Sequence, residues 1–170
     1  MKCFEITTEP NTTLNKEEFY TYIDNTSFSN TIKETLKEMS AVVLSSGEND
    51  IKLDFDDFNV IVNHGDIAYS GIGEYDGEDS ASEAIKSSII NSKLDKKMMH
   101  KITGVLIHFV MHPEYSIIKI ADAMDIVHEN VHYESEVIWG TTTDTSLSKE
   151  YVKVTALFNG FEKNDHILYP

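Results

Sequence analysis

The chain has 170 residues, 41% of them hydrophobic, and its 14 basic and 29 acidic residues leave a formal charge of −15. Every basic residue is a lysine, which argues against nucleic acid, where arginine is the usual reader of guanine, and against anionic membrane surfaces. The lone cysteine, Cys3, excludes an internal disulfide and a multi-cysteine zinc site. With no apolar run near the ~18 residues of a membrane span and no signal-peptide core, a soluble cytoplasmic domain is expected.

Residues 1–27 read as an arm rich in threonine and asparagine, with a turn at Pro10-Asn11 and a short helix. Asn15 and Glu18 open that helix as a capping box. In segment 28–50, Phe28, Ile32, Leu36, Met39 and Val43 fall on one helical stripe, which predicts a longer helix stopped at Gly47. In segment 51–66, Asp54 is placed to cap a short helix that runs to His64 and ends at Gly65.

Segment 67–163 then alternates. Residues 67–74 read as a strand, followed by a turn at Asp76-Gly77-Glu78. Ser80 and Glu83 form a second capping box, before a helix with Ala81, Ala84, Ile85 and Ile89 on one face. A strand at 103–110 precedes a helix capped by Ser116, whose stripe is Ile117, Ile120, Ala121, Met124 and Val127. Strands at 136–141 and 151–158 close the series, and 164–170 is left as a tail. In the last strand Val152, Val154, Ala156 and Phe158 face one way, and Tyr151, Lys153, Thr155 and Leu157 the other. That period of two predicts a half-exposed strand, expected to form a hairpin with its predecessor. The order predicts an α/β (α+β) two-layer sandwich, a four-stranded mixed sheet with two helices on one face, preceded by a long helix.

Several residue groups carry possible chemistry. Asp54 and Asp57, at N-cap and N3, both suit a helix start, where carboxylates accept orphan N–H groups. His128-Glu129-Asn130-Val131-His132 spells H-E-x-x-H, which on one helix would place two imidazoles on zinc with Glu129 as base, as in a metalloprotease. The helix should end before 136, however, which leaves His132 in a loop, so no metal site is assigned. His108 and His112 lie four apart in a strand, ~13 Å from each other, too far to share an ion. His64 suits the negative end of a helix. Gly71-Ile72-Gly73 reads as close packing rather than a phosphate loop, and Trp139 as a core or sheet-edge anchor.

Taken together, these segments resemble a known family. Gly71-Ile72-Gly73-Glu74-Tyr75-Asp76-Gly77-Glu78, followed by Ala84, resembles the start of the C-terminal domain of FtsZ, the bacterial tubulin homologue of cell division. Gly104-Val105-Leu106-Ile107, Ala123-Met124-Asp125-Ile126-Val127, Ile138-Trp139-Gly140, Asp144-Thr145-Ser146-Leu147 and Val152-Lys153-Val154-Thr155 with Gly160-Phe161 come next, in the family's order. Upstream, Ile51-Lys52-Leu53-Asp54-Phe55-Asp56-Asp57 resembles its synergy loop, with Lys52 in place of an asparagine, and helix 28–46 its central helix. Residues 1–27 read as an arm foreign to the family.

The resemblance implies a loop that enters the GTP site of a neighbouring subunit, where Asp54 and Asp57 help position the attacking water. Lys52, Asp54, Phe55, Asp56 and Asp57 would then contact the partner. The family's glycine-rich nucleotide signature is missing, as is any G-x-x-x-x-G-K-[ST] motif, and so are the C-terminal linker and recruitment tail. The resemblance thus implies an FtsZ-like chain without a nucleotide domain: not itself an enzyme, with no cofactor of its own, and meeting GTP and magnesium only on a partner. The expected role is a binding module that caps or modulates assembly of an FtsZ- or tubulin-type filament. Two alternatives stay open, half of a split GTPase and a self-associating structural protein.

Overall fold

The computed structural model describes residues 15–44 and 50–163. Cys3, the Pro10-Asn11 turn, the side chain of Val43, the stop at Gly47 and the tail 164–170 lie outside the described residues. Three helices come first: α1 (Lys16–Asp24), α2 (Asn30–Leu44) and α3 (Phe55–Val62). Next come β1 (Ile67–Asp76), α4 (Ser80–Asn91), α5 (Lys96–Met99), β2 (Gly104–Met111), α6 (Ile117–Asn130), β3 (Glu136–Thr143) and β4 (Tyr151–Phe161).

The strands form one sheet in the order β1-β4-β2-β3. β4 is antiparallel to both β1 and β2, so those two run parallel to each other, and β3 is parallel to β2. Each parallel step is made by a helix, α4 between β1 and β2 and α6 between β2 and β3, as crossovers require. Both helices pack on the same face, as the residue pattern predicts. Ala81, Ala84 and Ile85 of α4 and Ile120, Ala123, Met124 and Val127 of α6 meet Val105, Ile107, Phe109, Val154, Ala156 and Phe158.

The opposite face is also partly covered. Leu106 and Leu157, which point away from α4 and α6, join Phe58, Ile61 and Val62 of α3, Ile32, Leu36 and Met39 of α2, and Phe19 and Ile23 of α1 in a second cluster. β2 is buried on both sides, which explains its unbroken apolar run.

The Gly-x-Gly of β1 is a packing device. A β-carbon on Gly71 would stand 1.8 Å from the Ser88 carbonyl oxygen, and one on Gly73 2.0 Å from that of Ala84. The two glycines let α4 lie against the strand, and no phosphate could enter there.

Four expectations need correction. β3 and β4 are not a hairpin: β2 lies between them. β3 emerges from α6 parallel to β2 and takes its free edge, so β4 fills the slot between β1 and β2. β4 is correspondingly not half-exposed along its length, since Ala156, Leu157, Phe158 and Asn159 are all buried. Ser80 is not an N-cap. Asp79, at φ 56°, takes that place without a side-chain bond, and the buried Ser80 donates its hydroxyl to Tyr115 Oη at 3.1 Å. The α6 stripe runs through Ile120, Ala123, Met124 and Val127, whereas Ile117 and Ala121 are exposed.

Candidate functional site

The acidic segment 51–57 leads into α3, and the fold holds it from several sides. Its entry is pinned to the edge strand. Ile51 N–H donates to Thr141 Oγ1 at 2.9 Å, and Thr141 N–H donates to the Ile51 carbonyl at 2.8 Å. Leu53 is buried over Gly140, where a β-carbon would lie 2.6 Å from Leu53 Cγ and 2.7 Å from the Ile51 oxygen. Only a residue without a side chain allows the loop this close to β3.

The helix start is locked by reciprocal hydrogen bonds. Asp54 Oδ1 accepts from the Asp57 N–H at 2.9 Å, and Asp57 Oδ2 accepts from the Asp54 N–H at 2.8 Å. Both acids therefore do the capping that their spacing predicts. Each carboxylate keeps its second oxygen outside this box. Lys52, Asp54 and Asp56 are exposed and Asp57 is half-buried. Burial is the main cause that pushes the Asp57 carboxyl above its ordinary value; the Asp54 N–H bond opposes it, and the neighbouring Asp54 and Asp56 charges add to it.

Phe55 is turned into the chain's own aromatic cluster. Its ring stacks on Phe19 at 4.8 Å, and Phe19 meets Phe58 edge-on at 5.4 Å. Helix α1 thus braces the first turn of α3 from behind. The far end of α3 is fixed as firmly. Buried Asn159 of β4 donates from Nδ2 to the carbonyls of Ile61, Val62 and Gly65 at 3.0, 3.2 and 3.3 Å, serving carbonyls that a helix end leaves over. His64 lies beyond the helix, and its ring bridges Thr103 Oγ1 at 3.1 Å and Glu136 Oε2 at 2.8 Å. Sequence reasoning finds the acid pair but misses Gly140, Thr141, Asn159 and the His64 bridge, because these contacts span tens of residues.

The other candidates fall elsewhere. α6 ends at Asn130 and Val131 is its C-cap. His132 stands past the helix, with Nδ1 accepting from the Glu134 N–H at 3.2 Å, so His128 and His132 do not share a helical turn. No group of three or more metal-binding side chains is found among the described residues. His108 is buried and bonded to Thr142 Oγ1 at 2.9 Å. His112 accepts from the Glu114 N–H at 3.1 Å in the loop after β2. Trp139 anchors the sheet edge, edge-on to Phe109 at 5.9 Å. No described helix is long and apolar enough to cross a membrane.

Comparison with known proteins agrees with this architecture. Residues 66–162 match the model of the FtsZ family, C-terminal domain. The chain is 28% identical over 128 residues to the cell division protein FtsZ of Helicobacter pylori strain J99, covering 75% of this chain and 33% of that protein. It is 34% identical over 118 residues to cell division protein FtsZ 2 of Thermococcus kodakarensis, covering 69% and 28%. It therefore spans about a third of the length of these relatives. An empty FtsZ dimer structure from M. jannaschii superposes with a TM-score of 0.61 at 26% identity, over 88% of this chain and 40% of that one. A second M. jannaschii FtsZ structure, the W319Y mutant, covers 92% of this chain at a TM-score of 0.60, a share that reaches into the arm 1–27. GDP-form protofilaments of Bacillus thuringiensis serovar israelensis TubZ share the fold at 13% identity and a TM-score of 0.57. With more than half of its residues inside the family model, this chain belongs to the FtsZ family through that family's C-terminal domain.

Proposed function

We propose that this chain is a cytoplasmic binding module that docks on an FtsZ-type subunit through segment 51–57 and limits filament growth. The observation that carries the reading is the acid pair of Asp54 and Asp57, locked at the exposed head of α3 on a braced scaffold. A loop fixed in advance loses little entropy when it binds. Lys52, Asp54, Asp56 and Asp57 present the contact surface, and Phe55 holds it from within. Docked against a nucleotide held by the partner, the free carboxylate oxygens of Asp54 and Asp57 can orient a water molecule. Burial holds the Asp57 carboxyl above its ordinary value, which favours proton acceptance there. The Lys52 ammonium adds a positive charge beside the phosphates.

The test is to mix the chain with a full-length FtsZ-type protein in GTP and follow both pelletable filament and phosphate release. Capping predicts less pellet at substoichiometric chain. Asp56→Lys, which leaves the capping box intact, should reverse that effect. Unchanged pellet and unchanged turnover would refute the docking reading. Faster phosphate release that needs Asp57 would support the split-GTPase alternative, and a concentration-dependent sedimentation shift of the chain alone would support self-association.

A further inference from the structure

At the end of the sheet where α4 leads into β2, the charge of the molecule reverses. Residues 93–101 hold four of its lysines, Lys93, Lys96, Lys97 and Lys101, with His100 between them and one acid, Asp95. All five basic side chains are exposed. Asp95 is occupied in capping α5, where it accepts from the Met98 N–H at 2.7 Å. Among the described residues, no ion pair engages any of the four lysines. In a chain of net charge −15, an uncompensated cluster of this kind points to a use.

The segment, built around the short helix α5, is firmly held. Leu94, Met99 and Ile102 are buried in the main core, so the lysines stand on a fixed base rather than on a swaying loop. Lys93 sits at φ 60°, just past the end of α4, in a conformation that glycine adopts without penalty. At the other end of the segment, next to Lys101, the loop after α6 meets Ile102. His132 N–H donates to the Ile102 carbonyl at 3.2 Å, and Ser135 Oγ donates to the same oxygen at 2.5 Å. That loop carries Tyr133, 86% exposed, its ring tilted against His132 at 4.5 Å.

We infer that the lysines of 93–101 and the Tyr133 ring form a docking surface for an extended acidic peptide segment with an aromatic side chain. The lysines pair with its carboxylates and Tyr133 takes its ring. A peptide suits the rest of the molecule better than a membrane or nucleic acid. Charges more than about 8 Å apart are screened at physiological salt, so a short strand laid along 93–101 feels the lysines first, with Glu134 and Glu136 beside Tyr133 as the exposed acids of the neighbouring loop. A broad anionic surface faces the remaining acidity as well.

The test is anisotropy of a labelled peptide of glutamates around one phenylalanine. Phosphatidylserine vesicles and single-stranded DNA serve as parallel probes. The peptide should bind, weaken steeply with added salt, and lose about tenfold in affinity with Lys96→Glu plus Lys97→Glu. Tyr133→Ala should cost about threefold. Lys93→Gly relaxes the backbone and keeps the fold, and should weaken binding about twofold. Asp56→Lys should leave it unchanged, which separates this surface from the segment 51–57. Peptide binding that ignores the lysine reversals would overturn the inference, as would vesicles or DNA binding where the peptide does not.

Discussion

The two faces of the sheet are built differently. The face under α4 and α6 is a broad, mainly aliphatic core that joins β2, β4 and the two crossover helices, with β1 and β3 packed at its margins. The face under α1, α2 and α3 is smaller and rich in aromatics, with Phe19, Phe28 and Phe58 at its centre. The first face holds most of the buried apolar side chains, and the second seats segment 51–57 through Leu53 and Phe55. Stability and presentation of the candidate site are therefore expected to respond to different substitutions.

Truncating one phenylalanine on each face is the sharpest way to break them apart. Phe158→Ala should cost about 4 kcal/mol and lower the midpoint of the whole denaturation curve. Phe19→Ala removes a ring of the same kind, about 3 kcal/mol. Its effect should appear in hydrogen exchange as lost protection in α1 and α3, with the amides of β2 and β4 still protected. Equal loss of protection on both faces would show that the two clusters melt as one.

Acid offers the next largest contrast. Burial, reinforced by the Lys153 charge and opposed by Asp50, lowers His108 from 6.5 to about 4. Above pH 6.5 the imidazole is neutral in both folded and unfolded chains. As pH falls from 6.5 towards about 4 the unfolded chain takes up a proton that the folded one refuses, so stability is lost, by roughly 3 kcal/mol when the window is crossed. Stability curves of His108→Gln should lack that slope, and persistence of the slope would remove His108 as its source.

The smaller effects concern the loop itself. Gly140→Ala forces the 51–53 segment off β3 and should cost about 2 kcal/mol, with proteolysis at 51–54 appearing before any change elsewhere. Asp54→Ala removes the helix cap for about 1 kcal/mol. If it abolishes docking while Phe19→Ala only weakens it, the acids act directly and the aromatic face only supports them.

How much of this was legible in the residues depends on the range of each interaction. The capping boxes at Asn15 and Asp54 are local, three residues wide, and both were readable. So were the core positions Ala81, Ala84 and Ile85 of α4. The Ser80 box failed because a distant hydroxyl, that of Tyr115, took Ser80 away from the helix end. The hairpin failed because alternation reports which faces of a strand are buried, not which strands are its neighbours. The α6 stripe drifted because Ile117, the first residue of the helix, and Ala121 are exposed while Ala123 takes a buried place. The acid pair could be seen, but its seat on Gly140 could not, since the loop and the edge strand that receives it lie 90 residues apart.

The position of β4 has a consequence for how the molecule is made. It is the last described strand to leave the ribosome, yet β1 and β2 touch within the sheet only through it. Until Tyr151–Phe161 has been synthesised, the growing chain has two separate strand edges and a half-covered pair of helices. Completion of the domain is thus deferred until that strand emerges and zips both halves together at once.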